Sequence, residues 1–180
     1  LGQWEHTCPH CGQALTPVGT LESKRLEPQS VYALSKRDQE EYGLNVAKAF
    51  SIPLVACRYF NVYGPRQSLN NPYTGVAAIF SSAIKSGNSP IVYEDGNQRR
   101  DFTSVHDIVR AKLLLLENDD ANYQVFNVGT GISTSVNEVV ETLKKLYGRE
   151  DIESKVINRF RAGDIRHCYA DISKLKTLGY

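Results

Sequence analysis

The sequence has no methionine, no long apolar run and almost no net charge, and each lack removes a class of protein. Lysine and arginine total 21 against 20 acidic residues, a net charge of +1. No field of one sign therefore draws the whole chain to nucleic acid or to a membrane surface, and any anion site has to be local. No apolar run approaches the roughly 20 residues of a spanning helix; the leucine run 113–116 is only four residues. No signal-peptide pattern opens the chain, so a cytoplasmic protein is expected. The four cysteines do not form the framework of a small secreted domain: Cys8 and Cys11 lie close together while Cys57 and Cys168 are isolated, and all four read as reduced or metal-bound. Without a methionine, and with Leu1 reading as mid-segment, the natural start is expected upstream. Internal repeats and low-complexity tracts are also missing. What remains, 41% hydrophobic and 23% charged residues over 180 positions, is ordinary for a globular domain with a real core.

Residues 1–27 are rich in Gly, Pro, Thr and Gln and follow neither a helical nor a strand period, which predicts a loop-like insertion carrying a cysteine knuckle. After Pro28, Ser30 is a helix cap, and Leu34, Tyr42, Val46 and Phe50 recur at near-helical spacing until Pro53 ends the pattern. Residues 54–60 form a short apolar, β-branched run suited to a buried parallel strand, and Gly64, Pro65 and Pro72 punctuate a loop after it. The alternation continues, with helices over 75–86, 106–117 and 136–147 and from 171 onward. Strands are expected at 91–93, 100–105, 124–128 and 155–159. Such alternation predicts an α/β fold with a largely parallel sheet, in which ligands sit beyond the carboxyl ends of strands, after Phe60 and Val128.

Tyr32 and Lys36 stand one turn apart on one face of the first helix. A lysine ammonium beside a phenol favours the phenolate, the form a general base needs. With ten tyrosines and ten lysines in the chain, a pair at this spacing proves nothing alone. Arg100 closes a glycine-containing turn, where a guanidinium could grip a diphosphate in two-pronged fashion, or simply be a solvated charge beside Arg99. On burial statistics Phe60, Val76, Ile91 and Tyr93 read as core. His106 and Asp107 suggest a dyad, but neighbours on a helix do not face each other, so they read as structural. Gly129-Thr-Gly131 lacks the third glycine of a dinucleotide loop and reads as a turn after a strand. Cys8-Pro-His-Cys11-Gly12 has zinc-knuckle spacing, yet a tetrahedral site needs two further ligands that nothing downstream supplies.

The segment Ser30-Val-Tyr-Ala-Leu-Ser-Lys36 is followed, in order, by Arg58-Tyr-Phe-Asn-Val-Tyr-Gly-Pro-Arg66 and the run 96–107. Phe126-Asn-Val-Gly-Thr-Gly131 and Arg161-Ala-Gly-Asp164 come next. Over residues 28–180 the chain thereby resembles the extended short-chain dehydrogenase/reductases, the NAD-dependent nucleotide-sugar epimerases and dehydratases. The resemblance implies the carboxy-terminal part of a Rossmann-like doubly wound sheet with an interleaved, smaller substrate-binding domain. It implies Tyr32 as base, Lys36 as its electrostatic partner and ligand of the nicotinamide ribose, and Tyr59 and Phe60 against NAD. Asn61, Val76, Ile91, Tyr93, Arg100, Arg161 and Asp164 would hold the nucleotide-sugar. His106 with Asp107 would cap and orient its helix. Residues 1–27 resemble part of a cysteine-bearing insertion, with Cys8 and Cys11 as half of a structural zinc site.

The resemblance points to 4-epimerisation of a dTDP- or UDP-hexose, with dTDP-L-rhamnose as one candidate. A dehydratase or reductase of the same family is the alternative, and a non-catalytic nucleotide-sugar-binding module or a zinc-dependent interaction module stands further off. By family analogy a homodimer is expected. The family's Gly-rich turn for the NAD pyrophosphate and its assisting serine or threonine find no match in the sequence. The chain alone is therefore expected to bind NAD weakly and to turn over little.

Overall fold

The computed structural model describes residues 4–68, 74–160 and 163–180. Helix α1, Val31–Ala49, begins where Ser30 turns extended and its hydroxyl accepts the Ala33 N–H at 3.1 Å, meeting one of the donors that every helix start leaves unpaired. It leads into strand β1, Val55–Tyr59, whose parallel partner is β6, Gln124–Val128. Alternation along β1 sends its side chains to opposite faces. Val55 and Cys57 pack toward helix α3, Val105–Leu116, whereas Arg58 reaches Glu40 of α1. The β1–β6 pair thus carries a helix on each face, which is the doubly wound α/β arrangement.

Ile108, Ala111 and Leu115 of α3 recur at helical spacing and meet Phe126 and Val128 of β6 and Leu175 of the short helix α5, Ser173–Lys176. Lys174 closes this core by donating to Val125 O at 2.8 Å, with its ammonium 4.4 Å from the Phe126 ring centre. Burying a phenylalanine such as Phe126 contributes about 2–3 kcal/mol. A second core joins helix α2, Val76–Lys85, to helix α4, Val136–Tyr147, through Phe80, Ile84, Val136 and Val140, with Val92 and Ile152. Ser135 and Glu138 cap α4 reciprocally, and Gly148 ends it in the left-handed region at φ +60°, as capping chemistry requires.

Among the described residues the strands fall into four separate sheets rather than one. Besides β1–β6 there are parallel pairs of β2, Asn61–Tyr63, with β5, Phe102–Ser104, and of β3, Ile91–Val92, with β8, Lys155–Val156. A three-stranded unit has β4, Arg99–Arg100, between antiparallel β7, Thr134–Ser135, and parallel β9, His167–Cys168. The strand expected over 100–105 is split at Asp101, whose side chain turns inward, and the expected loop at 61–63 is strand β2. Ser104, rather than the His106–Asp107 pair, caps α3, its hydroxyl accepting the His106 N–H at 3.3 Å. Among the described residues no helix is long and apolar enough to cross a membrane.

Candidate functional site

Tyr32 and Lys36 lie together in the first two turns of α1, both exposed. The Lys36 ammonium stands 5.7 Å from the centre of the Tyr32 ring and donates to Gln39 Oε1 at 3.3 Å. Glu40 continues the same stripe one turn further on. Its carboxylate takes both prongs of Arg58, Nε at 2.8 Å and Nη2 at 2.7 Å, and this pairing, against the opposing effect of burial, holds the guanidinium more firmly protonated. Helix α1 is thereby keyed to β1, at whose carboxyl end Tyr59, Phe60 and Asn61 follow one another. Phe60 is half-buried and Tyr59 exposed; partial burial, with Cys57 beside it, pushes the Tyr59 phenol up to about 12, far from a working base.

The candidate nucleotide-sugar residues are spread over β2, β3, β4, the start of α2 and the turns beside them. The Asn61 N–H donates to Asp101 O at 2.9 Å, placing Asn61 beside the end of β4. Arg100, half-buried, uses Nη1 on the carbonyls of Arg99 and Arg166 at 2.8 and 2.9 Å, while Arg99 is turned toward Ser133 O. Tyr93 directly follows β3, and the N–H of the next residue, Glu94, donates to Arg159 O at 2.8 Å; Asp164 is exposed between Arg159 and Arg166. Val76 packs against the second core. Ile91 and Tyr93 are 52% and 43% exposed, so they are not the core residues their chemistry alone suggested. Arg161 lies outside the described residues.

Two features escaped sequence reasoning. Asp101 is fully buried and accepts from the Thr130 and Gly131 N–H groups at 2.8 and 2.9 Å and from the Thr103 and Thr130 hydroxyls and the Ala170 N–H. The amides of the Gly-Thr-Gly turn are therefore occupied by an internal carboxylate and are not directed at a phosphate. Arg166, also buried, meets Glu94 at 2.5 Å, Asp95 at 2.7 and 3.0 Å, and Glu5 at 2.5 and 3.2 Å. Only the acidic turn Glu94-Asp95-Gly96 hinted at it, because its partners are 71 to 161 residues away.

Cys8 and Cys11 sit on a hairpin tip closed by Cys8 N–H to Gln13 O and Gly12 N–H to Cys8 O, 2.8 and 2.9 Å, with Gly12 at φ +72°. The N–H groups of Cys11 and then His10 hold the Cys8 thiol below its ordinary range. Two sulfurs supply half of a tetrahedral set, and among the described residues no group of three or more His, Cys, Asp or Glu could hold a metal. Two adjoining hollows of 430 and 330 Å³ share Tyr63, Gly64, Arg66 and Gln67. They are lined by none of the candidate residues, so the chemistry directs attention elsewhere.

A helix keyed to a parallel strand pair that carries a helix on each face defines an α/β protein of the Rossmann-like class. A model of the NAD dependent epimerase/dehydratase family matches residues 8–129, and the chain belongs to that family. It is 38% identical over 154 residues to a dTDP-L-rhamnose 4-epimerase of Burkholderia thailandensis, covering 85% of this chain and 42% of the relative. Among solved structures it resembles a UDP-N-acetylglucosamine 4-epimerase from Methanobrevibacter ruminantium in complex with UDP-N-acetylmuramic acid. There the TM-score is 0.82 and the identity 41%, over 88% of this chain and 50% of that one. It also resembles the UDP-glucose 4-epimerase of Thermotoga maritima with UDP-glucose, at TM-score 0.84 and 35% identity, over 92% and 52% of the two chains. The chain spans about half the length of these relatives.

Proposed function

We propose that this chain is the catalytic-base and substrate-binding part of an NAD-dependent nucleotide-sugar 4-epimerase acting on a dTDP- or UDP-hexose, with dTDP-L-rhamnose the first substrate to try. The observation that carries this reading is the Tyr32–Lys36 pair on a helix locked to β1 through Glu40 and Arg58. The relatives' 4-epimerase activities on dTDP- and UDP-sugars support it.

In this reading Tyr32 removes the proton of the sugar C4 hydroxyl and returns it after the sugar has turned over, with Lys36, 5.7 Å from the centre of its ring, as electrostatic partner. NAD, when bound, supplies a reversible hydride acceptor. Tyr32, Lys36, Tyr59 and Phe60 would hold the nicotinamide side of that cofactor, Tyr32 and Lys36 being exposed and Phe60 half-buried. Asn61 holds the sugar, Arg100 and Arg161 neutralise the diphosphate, and Asp164 accepts from the nucleotide ribose. Val76, Ile91 and Tyr93 line the base and sugar. The reading includes a cytoplasmic homodimer, for which the exposed Val31, Tyr42, Val46 and Phe50 of the α1 region offer an apolar face. It also includes a structural zinc on Cys8 and Cys11, whose remaining ligands would come from beyond these two thiols.

The test is to incubate the natural polypeptide carrying this chain with NAD and a panel of dTDP- and UDP-hexoses, resolving products by chromatography. Interconversion of C4 epimers, abolished by Tyr32→Phe, is expected. A 4-keto-6-deoxy product would instead assign a dehydratase, full activity of Tyr32→Phe would remove Tyr32 as the base, and binding of nucleotide-sugars with no conversion of any of them would point to a binding module.

A further inference from the structure

Residues 5–22 run as an arm between two places that matter to the proposed site. At one end Glu5 reaches the buried Arg166 through Oε1 and His167 Nε2 through Oε2 at 2.9 Å. The arm then passes the cysteine hairpin and is stitched to the chain after β9. The Tyr169 hydroxyl donates to Pro17 O at 2.7 Å, and Thr20 pairs with Ala170. At the other end Glu22 accepts the Asn127 N–H at 2.9 Å through its carboxylate, and its carbonyl accepts Arg58 Nη1 at 2.9 Å. The arm therefore starts at Arg166 and ends at the same Arg58 that keys α1 to β1.

Arg166 is the junction. All three of its nitrogens are engaged, and its side chain is only 6% exposed. Two partners, Glu94 and Asp95, sit on the turn after Tyr93, and the backbone of Arg166 itself receives Arg99 N–H and Arg100 Nη1. Arg166 thus joins three parts of the chain, its guanidinium holding the turn after Tyr93 and its carbonyl holding the strand bearing Arg100 to the segment that follows Asp164. Glu5 is the one partner contributed from outside those elements. A guanidinium held on three sides has one orientation; with the third carboxylate gone it can tilt, and the loops it joins loosen with it.

We infer that Glu5 is a positioning residue for the nucleotide-sugar site, acting through Arg166, so that the arm sets how tightly the site grips its nucleotide. The inference rests on the proposed function, since it assigns Tyr93, Arg100 and Asp164 to the nucleotide-sugar. Losing a charge-assisted pair costs on the order of a tenfold change in an equilibrium. Glu5→Ala is therefore expected to weaken UDP or dTDP binding about tenfold, with Glu5→Gln intermediate because its amide oxygen still accepts from Arg166.

The experiment titrates UDP and dTDP calorimetrically into the 180-residue chain and its two variants, with thermal melts alongside. Amide exchange is followed at Gly96 and Arg99, whose N–H groups bond Tyr93 O and Arg166 O, and at Val140 in α4 as a reference. Weaker binding and faster exchange at 96 and 99, with Val140 unchanged, is the expected result. Tight binding by both variants, or unchanged exchange at 96 and 99, would overturn the inference while leaving the function intact. No binding of either nucleotide by the unaltered chain would instead sink the assignment of the site, and the inference with it.

Discussion

Arg58 and Glu40, 18 residues apart in sequence, form a fork-to-fork ion pair between the middle of β1 and the third turn of α1, with side chains only 23% and 16% exposed. Glu40→Ala would leave Arg58 half-buried without its countercharge, and we expect a loss of about 2 kcal/mol or more of unfolding free energy. Replacing both residues by leucine should recover most of it. Urea titrations of the two single leucine variants and the double variant measure this; a double-variant loss equal to the sum of the two single losses would mean the pairing adds nothing beyond packing.

Asp101 should be still less replaceable. Asp101→Ala strands the Thr130, Gly131 and Ala170 N–H groups and the Thr103 hydroxyl inside the protein, at an expected cost of about 3 kcal/mol or more. Asp101→Asn, which keeps one acceptor oxygen, should lose less. Melting temperatures rank the three proteins, and a wild-type melt for Asp101→Ala contradicts the hub.

Acid should weaken the Arg166 cluster in a definite window. Burial alone would raise the Asp95 carboxyl, but hydrogen bonds from Arg166 and Asn97 bring it from an ordinary 3.8 down to about 2. A depressed carboxylate stabilises the fold above its unfolded value and loses that contribution as pH falls through its folded value. Stability should thus decline between about pH 4 and pH 2, and Asp95→Asn should flatten that arm of the curve. Glu5, lowered by Arg166 and then His167, adds to the slope in the same direction. Denaturant unfolding at stepped pH is the measurement.

Gly64 faces Val105 so closely that a methyl group there would meet Val105 Cγ1 at 2.4 Å. Gly64→Ala should cost about 1–3 kcal/mol through overpacking, and Val105→Ala in the same chain should relieve most of it. If the double variant is no more stable than Gly64→Ala alone, the steric account fails.

The isolated 180-residue chain should retain little NAD. No third glycine follows Gly129 and Gly131 at dinucleotide spacing, and the amides of that turn are engaged by Asp101. Equilibrium dialysis with NAD checks it, and stoichiometric retention would count against the expectation.

The helices were readable because their ends carry local chemistry: Ser30 caps α1, Ser135 and Glu138 box in α4, and Gly148 stops it. The proposed base pair was visible as spacing on a helix, and Arg100 as a motif. Strand β2 went unseen because three residues, Asn61–Tyr63, offer too short a period beside a glycine and a proline. The division of one expected strand at Asp101 depends on a carboxylate choosing amides 29 and 30 positions away, and the Arg166 cluster on a glutamate 161 positions away. Local sequence registers caps and periods; it carries no mark of which distant charge a buried arginine will meet. Ile91 and Tyr93 misled in the other direction, since an apolar type on or just beyond a two-residue strand says little about which side is covered.

The carboxylate inside the Gly-Thr-Gly turn has an entropic consequence. Where a loop has to be ordered as its ligand arrives, part of the binding energy goes into that ordering. At residues 129–131 the anion is already present as Asp101, and a methyl group on Gly129 would meet that same carboxylate at 2.7 Å. The turn is therefore rigid before any ligand comes, a fixed wall beside β4 and β6 against which the neighbouring, more exposed residues can close without having to shape it first.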